Sequence, residues 1–195
     1  MLLNAIIPTP LLRLSLVAAL AVISVACFSE RKADDKTTPV LSAPPSATFP
    51  VPPANAPADV GWLLTDGKRA RVSDFSGKVL ALDFYATWCQ PCRLSIPRLI
   101  ALQQSYGAQG LQVVGLNVGG PDDRIKVNDF ARDLGIQYPL GFPDKAMSDL
   151  FLSDNQTIPQ TFIFGRDGKL RRRFIGYDQA TENELERVIR DALND

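Results

Sequence analysis

The sequence predicts an α/β fold, a central mixed β-sheet flanked by helices, over residues 59–195. Three observations predict it. Strand-like apolar runs alternate with helical patterns along this stretch, an Asp-Gly turn pair marks a hairpin near each of its ends, and the preceding residues have a composition that cannot build a core.

The hairpin comes first: in GWLLTDGKRARV, Asp66-Gly67 is a turn pair between two short β-prone runs. KVLALDFYA (78–86) reads as a buried strand, apolar on both faces. QPCRLSIPRLIALQQSYG reads as a helix with Ile96, Leu99, Ile100 and Leu102 on its apolar face, Pro97 as an internal kink and Gly107 as a stop. LQVVGLNV (111–118) is the next strand. A polar helix over DDRIKVNDFARDLG, anchored by Ile125, Phe130 and Leu134, is inserted before a short strand around residues 138–140. A short helix near 146–152 leads to the strand QTFIFG (160–165), and Asp167-Gly168 turns the chain into KLRRRFIGY, an antiparallel edge. TENELERVIRDALND closes the domain as an amphipathic helix with Leu185, Val188, Ile189 and Leu193 inward, capped by Thr181 with Glu184 three residues on.

Residues 1–26 form an export signal: a lone Arg13 precedes an apolar stretch from Leu14 to Ala26, about 13 residues, too short to span a bilayer of roughly 30 Å and right for a signal-peptide core. Ser24-Val25-Ala26-Cys27 looks like the lipobox of bacterial lipoproteins, with Ser24 where Leu is usual, which assigns lipidation to Cys27. A plain signal peptide cut after Ala26, or an uncleaved anchor, is the alternative. Residues 27–58 are rich in Pro, Ala, Ser and Thr and read as an extended tether, in which about 30 residues reach up to some 90 Å.

Composition narrows the chemistry. The formal net charge is zero, so no basic footprint for nucleic acid exists, and the chain contains no histidine, which removes the commonest metal ligand and the usual general base of hydrolysis. Against that background Cys89 and Cys92, in ATWCQPCR, have four readings. A zinc site lacks two further ligands, and a copper chaperone lacks His and a Met-rich set. A structural disulfide across two residues closes a very small loop and gains little chain entropy. Redox chemistry remains, with no cofactor beyond the cysteine pair itself. After a buried strand and at the start of a helix, Cys89 meets unpaired N–H groups and the positive dipole end that favour a thiolate, so it reads as the exposed nucleophile. Cys92, one turn further in, is buried and resolves the mixed disulfide. Asp83 shares the face of Val79, Ala81 and Tyr85, so its carboxyl is forced out of water, its pKa rises, and it becomes the proton acceptor for Cys92.

The run LDFYATWCQPC resembles the thioredoxin superfamily. GKVLALDFYATWCQPCR, LQVVGLNV, YPLGFPD and TIPQTFIFGRDGKLRRRFIG together resemble its exported, membrane-tethered branch, the TlpA/ResA-like thiol-disulfide oxidoreductases, over roughly 135 residues. The resemblance implies a thioredoxin-like fold and a cis Pro159 facing the cysteines. It also implies that Ile158 presents backbone atoms to a substrate chain, with Trp88, Gln90 and Pro91 lining the contact. Two residues depart from the branch: Ser95 stands where many members have Glu, and Asp83 where many have Asn.

The reading is an exported protein-disulfide oxidoreductase, lipid-anchored and facing the periplasm of a bacterial cell envelope. It acts as a monomer that reduces specific protein disulfides, such as those of apocytochromes during cytochrome c maturation, and is itself recharged by a membrane thiol donor. A general exported oxidant or isomerase and a redox-inert binding lipoprotein are the alternatives, and a peroxidase is the weaker one.

Overall fold

The computed structural model describes residues 60–195. The expected signal peptide over residues 1–26, the lipidation expected at Cys27 and the tether expected over 27–58 lie outside the described residues. Strands β1 (Trp62–Leu64), β2 (Arg69–Ala70), β3 (Val79–Tyr85), β4 (Leu111–Asn117), β5 (Leu140–Pro143), β6 (Gln160–Phe164) and β7 (Leu170–Ile175) form one sheet in the order β2-β1-β5-β4-β3-β6-β7. β3, β4 and β5 run parallel, while β6, β7 and the β1–β2 hairpin are antiparallel. The mixed sheet expected from the alternating pattern is therefore present.

All seven residues of β3 are buried, because helices cover both faces of the sheet. On one face Val79, Ala81 and Tyr85 pack with Ile96, Leu99 and Leu102 of α1 (Gln90–Tyr106) and with α3 (Val127–Leu134) and α5 (Gln179–Asn194). On the other, Leu80, Leu82 and Phe84 meet Met147, Phe151 and Leu152 of α4 (Lys145–Leu152) and the buried Trp62. Fully burying side chains of this size is worth about 1.5–3 kcal/mol each, which makes β3 the best-anchored strand of the sheet.

Several expected details differ. The inserted helix breaks into α2 (Pro121–Arg124) and α3 at Ile125, which is 81% exposed, while Val127 and Phe130 turn inward. Asp123 is the cause, since it takes the buried slot and swings Ile125 outward. α5 starts earlier than expected: Asp178 is its cap, accepting from Thr181 N–H at 2.7 Å, and Glu184 pairs with Arg187 instead. Ala192, with Leu193 only half-buried, completes its inner face. Gly107 keeps a right-handed conformation, and the chain reverses at Gly110, whose φ of 106° suits glycine. β5 begins after Pro139, which has no N–H to give a ladder, although Tyr138 is buried as expected.

Candidate active site

The end of β3 runs through Ala86, Thr87 and Trp88 into Cys89, which is the N-cap of α1. Pro91 occupies the first helical turn, where its missing N–H is no loss, and Pro97 lies inside the helix. Cys89 and Cys92 are joined by a disulfide, and Cys92 N–H points at Cys89 Sγ from 3.2 Å. The oxidised form is thus the state described. Trp88 is 66% exposed beside the disulfide, and Gln90 and Pro91 are also exposed.

Cys89 was expected at the surface, yet it is only 4% exposed, against 0% for Cys92. The reason is the opposite wall. The Ile158–Pro159 peptide is cis, and the Ile158 carbonyl oxygen lies 3.8 Å from Cys89 Sγ, a contact rather than a hydrogen bond because the oxidised sulfur carries no proton. The family resemblance implies a cis Pro159 facing the cysteines, and the peptide is cis with Ile158 against Cys89.

Two polar networks that the sequence reading missed hold these walls. Asp123 accepts from the Thr87 N–H at 2.9 Å, from the Thr87 hydroxyl, and from Asn117 Nδ2 at 2.7 Å, which ties α2 to the residue before Trp88. Burial alone raises the Asp123 pKa, but the hydrogen bonds from Asn117 and Thr87 and the charge of Lys126 bring it below the ordinary value. The Arg93 guanidinium donates to the Thr87 carbonyl at 2.9 and 3.2 Å and lies 4.8 Å over the Phe130 ring. On the far wall the buried Gln160 donates to the Asn155 and Thr157 carbonyls, both at 2.7 Å. It accepts from Arg173 Nε at 2.8 Å, and Arg173 pairs with Asp154 at 2.6 Å. These bonds shape the loop that carries Ile158.

The Asp123 network gives a clean prediction. Asp123→Ala leaves the Thr87 N–H and the Asn117 amide without their acceptor, so urea unfolding is expected to show a loss of about 2–3 kcal/mol. Because the Asp123 pKa is lowered on folding, its contribution is present above the ordinary carboxylate pKa and is lost as pH falls below it. A loss under about 0.5 kcal/mol, the size of an ordinary surface change, would contradict the anchoring role.

Asp83 is fully buried. Its Oδ1 accepts from the Thr161 hydroxyl at 2.9 Å, and its Oδ2 has no hydrogen-bond partner among the described residues. Desolvation pushes its pKa to about 7 despite the Thr161 bond. By alternation with Val79, Ala81 and Tyr85 it faces the layer between sheet and α1 that also holds Cys92. Ser95, in the position where many TlpA/ResA-like members have Glu, is buried and donates to the Cys92 carbonyl at 3.1 Å, so it offers no proton acceptor.

The AhpC/TSA family model matches residues 50–173, more than half the chain and the whole of this site. The chain belongs to the AhpC/TSA family. Among similar proteins, the thiol-disulfide oxidoreductase ResA of Bacillus subtilis is 30% identical over 131 residues, covering 67% of this chain and 68% of that protein. ResA of Geobacillus kaustophilus is 31% identical over 130 residues, covering 66% and 72%. Among solved structures, a Chlorobium tepidum protein whose proposed identity is thiol:disulfide interchange protein DsbE superposes with a TM-score of 0.61 at 31% identity, over 70% of this chain and 94% of that one. The thioredoxin-like fold expected from the motifs is therefore present. With homologues that are thiol-disulfide oxidoreductases and a CxxC disulfide at a helix N-terminus, the chain is a thiol-disulfide oxidoreductase.

Proposed function

We propose that this protein reduces disulfides of other exported proteins through the Cys89/Cys92 dithiol. The observation that carries the reading is the disulfide itself: it bridges the N-cap of α1 and a fully buried position one turn on, beneath the Ile158 carbonyl.

In the reduced protein the backbone N–H groups at the start of α1 and the helix dipole favour the Cys89 thiolate. The thiolate attacks one sulfur of a substrate disulfide. The substrate S–S bond breaks, a mixed disulfide forms with Cys89, and the departing substrate thiolate takes a proton from solvent. Ile158 offers its backbone to the substrate strand, and Trp88, Gln90 and Pro91 provide the exposed face around it. Cys92 then gives its proton to the Asp83 carboxylate and attacks Cys89 Sγ. The second substrate thiol leaves, and the protein ends in the oxidised form. Two electrons have passed from the dithiol to the substrate, and an external thiol donor must return them. No cofactor takes part in these steps.

Export and anchoring rest on the sequence of residues 1–58, with Cys27 as the lipidated residue, which places the domain on a tether at the periplasmic side of a membrane. The donor is then a membrane thiol, and apocytochrome disulfides are the substrates we favour, with the protein working as a monomer. The test is disulfide reduction in insulin by the fully reduced protein. Stoichiometric loss of insulin disulfides with formation of the Cys89–Cys92 bond supports the reading. No reduction supports a redox-inert binding protein, and faster oxidation of reduced substrates than reduction of oxidised ones supports an exported oxidant or isomerase.

A further inference from the structure

The resolution step leaves a proton on Asp83, and that carboxyl has no contact with water. The disulfide and the Ile158 loop close the Cys89 side, where Cys89 is 4% and Cys92 0% exposed, so the proton needs another way out. Two buried atoms in this layer have no hydrogen-bond partner among the described residues, Asp83 Oδ2 and the Tyr85 hydroxyl. They sit two residues apart on the same face of β3. Gly115 of β4 is paired with Asp83 across the sheet, and a methyl group on Gly115 would lie 2.6 Å from Leu140 Cδ2, 3.2 Å from Tyr85 Cε1 and 3.4 Å from Tyr138 Cε2. Both tyrosine rings therefore reach the glycine beside Asp83, each by a carbon next to the one that bears its hydroxyl. A side chain at Gly115 would close that space.

Tyr138 also reaches outward. It lines a cleft of about 370 Å³ together with Gln103, Gln104, Gln112 and Gln137, of which Gln104 and Gln137 are exposed. Ile100 and Pro139 complete its wall, which offers the four glutamine amides as hydrogen-bonding groups and no carboxylate or cation.

We infer that Tyr85 and Tyr138 form a proton relay that connects Asp83 to this glutamine-lined cleft, away from the substrate face. Two unsatisfied buried polar atoms facing one space are the pattern expected where a water bridges them. Neither hydroxyl ionises: burial and the charge of Asp83 hold both tyrosine pKa values well above neutrality. Each therefore works by passing one proton on while receiving another, so no tyrosinate forms, and the proton delivered to the cleft leaves Asp83 as the carboxylate ready for the next cycle. The groups facing Asp83 are Thr161 from β6, Tyr85 from β3, Tyr138 before β5, and Cys92 from α1; the Asp123 carboxylate acts on Tyr85 from α2.

This inference rests on the proposed role of Asp83 and is tested with the full-length reduced protein and a nitroaromatic disulfide. Release of the first thiolate reports Cys89 attack, and release of the second reports resolution by Cys92. Near neutral pH much of Asp83 is protonated and must empty through the relay before it can accept the Cys92 proton, so Tyr138→Phe is expected to leave the first release unchanged and to slow the second several-fold, with an increased solvent isotope effect. The slowing disappears in an Asp83→Asn background. The infrared carboxyl titration of Asp83 keeps its midpoint in Tyr138→Phe, because the relay carries protons without setting their affinity. Tyr85→Phe, which only removes a buried hydroxyl, gives a second variant with the same expected pattern. An unchanged second release in both variants, equal slowing with and without Asp83, or a shifted midpoint would each overturn the relay. Failure of the wild-type protein to release even the first thiolate would instead overturn the dithiol reading on which it rests, and the relay with it.

Discussion

Cys92→Ser is expected to turn the protein from a catalyst into a trap, while Cys89→Ser removes disulfide exchange altogether. With Cys92 gone, Cys89 still meets the positive end of α1 and still attacks, but nothing one turn away can displace the substrate, so the mixed disulfide accumulates. With Cys89 gone, Cys92 remains completely buried and no substrate sulfur can approach it. Both variants should lose turnover by on the order of 10³-fold or more, as removal of a nucleophile usually does. They differ in what is found on a non-reducing gel after incubation with a disulfide substrate: a covalent complex for Cys92→Ser and free protein for Cys89→Ser. Retained turnover in Cys89→Ser, or a covalent complex formed by it, would reverse the assignment.

Asp83 is expected to produce a large, pH-dependent stability effect. Its folded-state pKa of about 7 lies above the ordinary 3.8, so the folded protein holds this proton more tightly than the unfolded chain does. The associated stability is complete below about pH 4 and is lost as pH rises through about 7. The difference between those two values corresponds to about 4 kcal/mol. Asp83→Asn keeps the acceptor for Thr161 and cannot ionise. Urea unfolding of the oxidised proteins should therefore give nearly equal stabilities at pH 4, and at pH 8 an Asn variant more stable by up to about 4 kcal/mol. The same variant should resolve mixed disulfides roughly tenfold more slowly near neutral pH, with the deficit fading in alkali, where Cys92 ionises unaided. Parallel stability curves would show that Asp83 is not a buried titrating group, and superimposable rate profiles would remove it from the chemistry.

The features legible in the sequence were those written in local pattern. The apolar run of β3, the two cysteines straddling the first turn of α1, and the parity that buries Asp83 all follow from spacing within about ten residues. Ile158 and Pro159 became legible only through the family resemblance, since by themselves they read as a loop before a strand. What escaped was long-range side-chain pairing. Asp123 is bonded to Thr87 36 positions earlier, and Arg173 is bonded to Gln160 13 positions before it. No periodicity marks such partners. The same pairing explains the misplaced Ile125: apolar spacing alone turned it inward, whereas a carboxylate with three donors waiting for it won the buried position. The unexpected burial of Cys89 has the same origin, because the wall above it is a loop folded around Gln160, far along the chain.

A Cys89/Cys92 pair that is a reversible dithiol poised to reduce has a low midpoint potential, measured by equilibrating the protein in thiol-disulfide buffers and counting free thiols. A single two-electron transition close to the thioredoxin value of about −270 mV is the predicted result. A midpoint near the strongly oxidising end, about −120 mV, or a disulfide that does not titrate at all, would contradict it.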